Sequence, residues 1–377
     1  MTVPVTPLSV LDLSPISSGS TVAEALQHTV DLARHAERLG YRRFWLAEHH
    51  LNPGVAGSVP ALLIAAVARE THRIRVGSGA VQTGHRTPLS VVEEFGTLDA
   101  LYPGRIDLGL GRSGGPRTPS RAPAPVESVA VGTRTVGGVV IPSRFSHAGL
   151  LASPRFRAQA ALIRQPDART PPYPEVVEQV LALFEGSYRT PEGVAVQAVP
   201  GSKAGVEPWI LGSSGGESAE VAGARGLPFA ANYHVSPSSV LEAVEGYRGA
   251  FRPSARLAAP YVMVSADVVV GPDDETAREL AAGYAPWVRS IRTGVGAIPF
   301  PTPAEAAALT WTDEERKLVA DRVATQFVGS AGGVVDRLRA LRDVTAADEL
   351  LITTITHGHA DRVRSYELLA TAWAEQS

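Results

Sequence analysis

The sequence predicts one α/β domain over residues 1–377, folded as a (β/α)8 TIM barrel with insertions. Eight apolar, strand-like segments can be counted, and most are separated by segments with helical periodicity. Polar side chains lie at or just past the predicted strand ends, and a barrel gathers these ends on one face. They are Asp12, His49, His50, His85, Arg112, Asn232, His234 and His357. A doubly wound sheet is the alternative, because counting strands does not show whether a sheet closes.

The first half of the chain contains four strand–helix units. The predicted strands are Leu8–Leu11, Arg43–Leu46, Ile74–Val81 and Ile106–Leu110. The first helix begins at Thr21, with Glu24 three residues later in a capping-box pattern. Two further helices begin at Pro60 and at Thr87-Pro88, since proline suits the first turn of a helix.

The regular alternation stops after the fourth strand. Residues 113–172 are rich in proline, arginine, serine and glycine, with one apolar segment, Val139–Ile141. Because a connection of this length is either functional or disordered, we expect an insertion at the active-site end of the barrel. Alternation resumes with a helix at Pro174–Phe184, and a last helix ends near Ala374. The remaining predicted strands are Trp209–Leu211, Phe229–Ala231, Val262–Val270 and Leu350–Thr354.

The composition limits the classes of function. Apolar residues make up 44% of the chain and charged residues 19%, which supports a large core, and the net charge of −3 argues against a nucleic-acid or membrane surface. The absence of cysteine excludes disulfides, thiol catalysis and cysteine-ligated metal sites. No signal-peptide pattern and no apolar run of membrane-spanning length occur, so a soluble cytoplasmic protein is expected.

The strongest functional signal is Glu48-His49-His50, where an apolar strand ends in three ionisable residues. Histidine at such a place can shuttle protons, bind metal or hold a cofactor. Adjacent residues of a strand point to opposite faces, so His49 and His50 do not share one metal while the strand continues. A metal-dependent barrel hydrolase using one of them with His357 and His359 is the alternative.

Two glycine-rich segments follow predicted strands. Gly109–Gly114 matches the dinucleotide fingerprint GxGxxG, but Gly115–Pro119 follows it instead of a helix, so we reject a dinucleotide site. Arg112 remains as a cation at a strand end, either for a ligand or for an ion pair. Gly212–Ala219 runs from a strand into a helix, and its glycines, hydroxyls and helix N-terminus favour a phosphate site over an ordinary capped turn. The chain lacks the GxSxG elbow of serine hydrolases.

Together these segments resemble the luciferase-like monooxygenase family, the flavin-dependent barrel enzymes that include bacterial luciferase. The similarity does not extend over residues 113–172. It rests on Leu8–Leu13, Gly40–His50, Arg73–Gly79, Leu98–Arg112, Trp209–Ser214, Gly226–Ala230, Asp348–Leu351 and Ser365–Ala370.

The resemblance implies that FMN lies across the C-terminal mouth of the barrel. His49 would be the general acid/base on the reactive face of the flavin, with His50 supporting it. The implied cofactor-binding residues are Gly79 and Ala80 beneath the ring, joined by a non-proline cis peptide, Arg112 near the ring or phosphate arm, and Ser214, Gly215, Gly216 and Ser218 at the phosphate.

The resemblance also implies a monooxygenase that uses reduced FMN and O2 on a small organic substrate. The sequence shows no second nucleotide-binding domain, so we expect a separate NAD(P)H:flavin reductase, and the family suggests a homodimer. One alternative is an F420-dependent oxidoreductase that transfers hydride, which Arg86, Arg112 and Arg117 leave open. Another is a non-catalytic flavin-binding protein, because Gln82–Arg86 is more polar than in relatives.

Overall fold

Eight parallel strands close into a barrel in the computed structural model, which describes residues 6–112, 132–146, 148–164, 168 and 171–375. The barrel strands are β1 (Leu8–Asp12), β2 (Arg43–Leu46), β3 (Arg75–Ser78), β5 (Ile106–Gly111), β8 (Glu207–Gly212), β9 (Phe229–Asn232), β10 (Val262–Gly271) and β12 (Glu349–Thr353). Neighbouring barrel strands pair in parallel, and the pairing of β10 with both β12 and β9 closes the ring. The predicted barrel is confirmed, and an open doubly wound sheet is ruled out.

Helices surround the barrel. They are α1 (Val22–Arg38), α2 (Pro60–Glu70), α3 (Pro88–Leu101), α4 (Ala148–Leu151), α5 (Pro154–Ile163), α6 (Tyr173–Glu185), α7 (Glu217–Ala224), α8 (Val240–Ala250), α9 (Asp274–Leu280), α10 (Tyr284–Arg292), α11 (Pro303–Ala307), α12 (Asp313–Thr325), α13 (Ala331–Thr345) and α14 (His359–Glu375). The predicted capping box is present, since the Thr21 hydroxyl accepts from the backbone of Glu24 at 3.2 Å. Within the described part of the chain, no helix has both the length and the apolar character to cross a membrane.

The structure adds four short strands that the sequence pattern did not predict as separate elements. They are β4 (Val81–Gln82), β6 (Arg134–Val136), β7 (Val139–Ile141) and β11 (Phe327–Ser330). The predicted strand Ile74–Val81 is divided into β3 and β4 at the Gly79–Ala80 peptide bond, which is cis as the resemblance implies. Strand β11 pairs with the last four residues of β10, which extend beyond the barrel. The apolar segment Val139–Ile141 forms one strand of a hairpin and buries both of its ends.

The N-terminal end of the barrel is filled by a buried ionic network. The Arg43 guanidinium lies 2.8 Å from the Asp107 carboxylate and 3.3 Å from that of Glu349, and all three side chains are almost completely buried. Trp45 donates its indole N–H to Asp107 at 2.9 Å and packs edge-on against Trp209 above the network. Because side chains fill this end, the C-terminal mouth is the place where a ligand can enter the barrel.

Candidate active site

His49 lies at the mouth, three residues after the end of β2. Trp45 and Ala47 pack in the barrel interior, and His49 lies close enough to His234, which follows β9, to contribute to lowering the pKa of that ring. Its Nδ1 atom is buried and has no hydrogen-bond partner among the described residues. Burial, with a smaller contribution from the neighbouring His50, lowers the pKa of His49 to about 4. The imidazole is therefore neutral near pH 7 and can take up a proton or accept a hydrogen bond.

His50 points away from this position and binds a buried carboxylate. Glu48 is within 2.8 Å of His50 Nε2 and 3.0 Å of His85 Nε2, and it accepts a hydrogen bond from the backbone N–H of Gln82 at 3.0 Å. Burial alone would raise the pKa of Glu48, but the hydrogen bonds and the charge of Arg86 lower it below its usual value. The segment that departs from the family pattern, residues 82–86, thus holds the carboxylate that orients His50.

Glu48, His50 and His85 bring three groups that could bind a metal close together, but their other contacts do not favour a metal site. The ligating atoms of Glu48, His50 and His85 lie within 4.8 Å of one another. Among the described residues, this is the group of histidines and acidic residues close enough together to hold a metal ion. However, the carboxylate already accepts a backbone hydrogen bond, and the Arg86 guanidinium lies 3.6 Å from it. A nearby fixed cation opposes the binding of a metal cation.

The structure does not bring the other two histidines of the metal-hydrolase alternative into this cluster. His357 Nε2 lies 3.0 Å from the backbone oxygen of Ser18. His359 Nε2 is 2.8 Å from Asp31, and its ring stacks on that of His28 between the first and last helices. Both histidines therefore have structural partners away from Glu48, and the described geometry does not favour the hydrolase.

The predicted phosphate segment forms the start of α7. Gly216 is the N-cap residue, and among the described residues no side chain caps this end. The N–H of Ala219 is bonded to the Gly216 carbonyl at 2.9 Å, so the N–H groups of Glu217 and Ser218 are the ones left for an anion. A Cβ atom added to Gly216 would approach only the Ser214 hydroxyl, at 3.6 Å, so this backbone borders open space. Gly215 also packs closely on the next helix, since a Cβ there would lie 2.7 Å from the Glu242 carbonyl of α8.

Arg112 reaches this segment but is bound by a residue that the sequence analysis overlooked. Its guanidinium lies 2.9 Å from the carboxylate of Glu217, the first residue of α7. A carboxylate at a helix N-terminus interacts favourably with the helix dipole, as an anionic ligand would. Of the predicted cofactor residues, Arg112, Gly216 and Ser218 therefore lie in one region, with a negative charge already among them.

A second histidine follows the sixth barrel strand at the mouth. His234 Nδ1 lies 2.5 Å from the hydroxyl of Ser265 on β10. Two residues further along, Asp267 accepts hydrogen bonds from Tyr284 and from Arg322, the latter at 3.0 Å. The sequence analysis noted His234 but missed Ser265 and Asp267, although polar residues alternating within the apolar run Val262–Val270 are a signal for one functional face of a strand.

Part of the insertion lies close to the mouth. Arg155 of α5 donates to the backbone oxygens of Leu51 at 3.0 Å and of Gly294 at 3.2 Å. Leu51 directly follows His50, so this arginine connects the insertion to the loop that carries the histidines. Arg117, one of the residues relevant to F420, lies outside the described residues, as does most of the segment before residue 132.

Comparison with known proteins identifies relatives over nearly the whole chain. A model of the family described as luciferase-like monooxygenase matches residues 6–127 and 152–348. The uncharacterized protein YvbT of Bacillus subtilis (strain 168) is 36% identical over 366 residues, covering 97% of this chain and 96% of that protein. A protein of Escherichia coli (strain K12) named luciferase-like monooxygenase is 33% identical over 361 residues, covering 96% and 95%.

Solved structures share the architecture. The crystal structure of apo-MsnO8 has a TM-score of 0.78 and 32% identity and covers 98% of each chain. At 19% identity, the oxygenating constituent of 3,6-diketocamphane monooxygenase from the CAM plasmid of Pseudomonas putida, in complex with FMN, has a TM-score of 0.63 over 98% and 99%. An F420-dependent secondary alcohol dehydrogenase, at 13% identity, has a TM-score of 0.59 over 98% and 99%. For the last two structures, at 19% and 13% identity, the likeness shows the fold alone.

Proposed function

The chain belongs to the luciferase-like monooxygenase family, and from this premise we propose that it uses reduced FMN and O2 to oxidise a small organic substrate. The observation that carries the proposal is the neutral imidazole of His49 at the barrel mouth, whose buried Nδ1 has no partner among the described residues. An unsatisfied buried polar atom is costly, and binding of a ligand at the mouth would satisfy it.

The start of α7 supports a phosphate-bearing flavin. Free N–H groups at an uncapped helix N-terminus, flanked by the hydroxyls of Ser214 and Ser218, are suited to a phosphate. Glu217 brings a negative charge to this place, and Arg112 offsets it. In the proposal the FMN phosphate is held by Ser214, Gly215, Gly216, Ser218 and Arg112. Gly79 and Ala80 border the ring, and the flavin supplies the chemistry with oxygen.

His49 would handle the proton. A neutral imidazole with a pKa of about 4 accepts a hydrogen bond or a proton from a reacting group and returns it readily. Glu48 and His50 would hold His49 in position, since the hydrogen bond between them fixes the chain on the C-terminal side of His49. Apolar side chains around the mouth, including Trp287, Ile355 and Leu13, would limit the access of water.

F420 is the second candidate cofactor, because structural neighbours include F420-dependent enzymes. A long anionic tail would need free cations along a groove. Among the described residues, Arg86 is bound to Glu94 at 2.9 Å and Arg112 to Glu217. These ion pairs favour FMN, whose single phosphate needs fewer cationic contacts.

We further propose a separate NAD(P)H:flavin reductase and a homodimer, both working in the cytoplasm. The described residues form one barrel with its insertion, which supports supply of reduced flavin from outside. The homodimer part of the proposal rests on the family to which the chain belongs. Light scattering of the purified protein would report a dimer mass if the second part is right.

Fluorescence titration tests the cofactor. We expect the purified protein to bind reduced FMN more tightly than oxidised FMN, and to bind F420 more weakly than either. Riboflavin, which has the same ring without the phosphate, is the control for the role of α7. Preference for F420 would replace oxygen chemistry by hydride transfer, and binding of neither cofactor would contradict the proposal.

A further inference from the structure

The indole N–H of Trp287 is buried and has no hydrogen-bond partner among the described residues. The side chain is only 5% exposed. Three other tryptophans donate their indole N–H at 2.9 Å each: Trp45 to Asp107, Trp209 to Glu207 and Trp373 to the backbone oxygen of Thr6. Because an indole nitrogen can only donate, and a buried one usually finds an acceptor, the N–H of Trp287 is suited to a ligand that supplies the acceptor.

Trp287 lies on the connection that follows β10, at the C-terminal face of the barrel. It comes one helical turn after Tyr284 on α10, and the centroids of the two stacked rings are 6.3 Å apart. The Tyr284 hydroxyl donates to Asp267. Asp267 points into the barrel, because it lies four residues beyond the interior residue Met263 on the same strand. The neighbouring tyrosine therefore anchors this turn of α10 to the interior of the barrel.

The next strand of the barrel carries a second buried polar group at the same place. Thr353, the last residue of β12, has its Cα opposite that of Asp267. Leu351, two residues earlier on β12, packs in the barrel interior, so alternation turns Thr353 inward as well. The Thr353 hydroxyl is buried and has no hydrogen-bond partner within the described part of the chain. This side of the mouth thus offers a ligand two polar groups, from Trp287 and Thr353.

The order of the strands around the barrel separates these groups from the proposed cofactor residues. The ring runs β1, β2, β3, β5, β8, β9, β10, β12 and back to β1. The proposed cofactor residues lie on three consecutive strands, β3, β5 and β8, or directly after them. Trp287 follows β10 and Thr353 ends β12, which lie on the other side of the ring. A flavin bound across the first three strands would leave these two residues for the substrate.

The surroundings of Trp287 suit an uncharged substrate. Its ring belongs to a cluster of buried apolar side chains that includes Leu13 and Ile355, which follow β1 and β12. The charges next to Tyr284 are those of Asp267 and Arg322, and they are paired with each other at 3.0 Å. A neutral N–H among apolar side chains is suited to a neutral acceptor, such as the oxygen of a ketone, an ester or an ether.

We propose that Trp287 determines substrate specificity by donating its indole N–H to an oxygen atom of an uncharged, mainly apolar substrate. This inference rests on the proposed function, which makes the barrel mouth the reaction site. Binding of such a substrate supplies an acceptor that the described residues do not provide.

The indole N–H can be observed on protein labelled with 15N-tryptophan, and its signal is assigned by its loss in Trp287→Phe. Cyclohexanone and methylenecyclohexane are the probes, because they share a shape and only the ketone carries an oxygen acceptor. We expect cyclohexanone to move the proton signal of this N–H downfield in a saturable way, and methylenecyclohexane to leave it nearly unchanged. No saturable shift with cyclohexanone, or equal shifts with both probes, would overturn the inference.

Replacement of Trp287 by β-(3-benzothienyl)alanine removes the N–H and keeps the shape of the ring, because sulfur takes the place of the nitrogen. This variant also assigns the signal if Trp287→Phe does not fold. Cyclohexanone affinity is expected to fall about three- to tenfold, the usual net effect of one hydrogen bond, whereas methylenecyclohexane affinity should stay unchanged. The same replacement at Trp373, which is bonded to Thr6 before β1, is the matched control and should change neither affinity. Unchanged cyclohexanone affinity in the Trp287 variant would overturn the inference.

FMN titration of the same samples separates this inference from the proposed function. FMN binding without a cyclohexanone shift would count against the inference alone. Loss of FMN binding with the cyclohexanone shift intact would count against the proposed function alone. A Trp287 signal that responds to FMN instead of cyclohexanone would assign the N–H to the cofactor and overturn the inference.

Discussion

Arg112 and Glu217 form an ion pair of 2.9 Å between the end of a barrel strand and the first residue of helix α7. The carboxylate lies where the phosphate of a bound flavin is proposed, so it takes part of the favourable interaction with the helix N-terminus. When flavin is bound, Arg112 would therefore interact with two anions, the Glu217 carboxylate and the flavin phosphate. The affinity for the phosphate then depends on how the positive charge of Arg112 is shared between the phosphate and Glu217.

Glu217→Gln is expected to strengthen FMN binding by about three- to tenfold, because repulsion of the phosphate is removed and Arg112 is released. The affinity for riboflavin, which has no phosphate, should stay unchanged. Fluorescence titration of both flavins measures this difference. Glu220→Gln, an exposed residue of the same helical turn, is the matched control. Equal gains for FMN and riboflavin would show that Glu217 acts elsewhere.

His49→Ala is expected to reduce substrate-dependent turnover by about 10² or more, the usual contribution of a general acid/base. FMN affinity should remain within about threefold, since the phosphate contacts are untouched. Turnover is followed as the oxidation of reduced FMN with a substrate found by screening small organic molecules. His72→Ala, an exposed histidine before β3, is the control for the loss of an imidazole. Undiminished turnover in His49→Ala would remove this residue from the proposed chemistry.

The barrel and the location of its site could be predicted from sequence because the signals are local. Each barrel strand is a short apolar run; Arg112 directly follows one, and His49 lies three residues after another. The short strand Phe327–Ser330 was missed, since half of its residues are glycine and serine and its stability comes from pairing with the extended end of β10. Pairing of this kind is decided by tertiary structure.

Partners within the site were harder to predict. Arg112 and Glu217 are separated by 105 positions, and a sequence pattern does not show which side chain a strand-end arginine will meet. Gly215 is predicted to bind phosphate, and the structure adds that it packs against the α8 backbone, where any side chain would collide. A glycine that permits close helix packing and one that permits ligand approach look the same in sequence.

The two neutral histidines of the mouth predict a pH dependence of stability. Their pKa values are lowered to about 4, below the unfolded value near 6.5, so the unfolded chain binds more protons between these pH values. The contribution of these two histidines to the free energy of unfolding should therefore be complete above about pH 6.5. It should be lost as the pH falls toward 4, by up to ~3 kcal/mol for each histidine. Urea denaturation at pH 4.5, 5.5 and 7 measures this slope.

Replacement of either histidine should flatten that slope. His49→Gln and His234→Gln cannot be protonated, so each is expected to lose its own part of the dependence between about pH 4 and 6.5. His72→Gln is the control, because it removes an exposed imidazole that lies before β3. An unchanged slope in both mouth variants would mean that these rings are not held neutral by the fold.

Glu48→Gln tests whether the carboxylate behind His49 orients the site. Because the buried carboxylate serves His50, His85 and the backbone of Gln82, its replacement leaves donors unsatisfied and should cost about 1–3 kcal/mol in the free energy of unfolding. Turnover should fall while FMN affinity changes little, since the backbone that carries His49 loses the contacts of Glu48 with His50 and Gln82. Glu94→Gln, which removes the other carboxylate bound to Arg86, is the matched control and should leave turnover near the wild-type level. Equal losses in both variants would assign the effect to Arg86, because that residue is the partner they share.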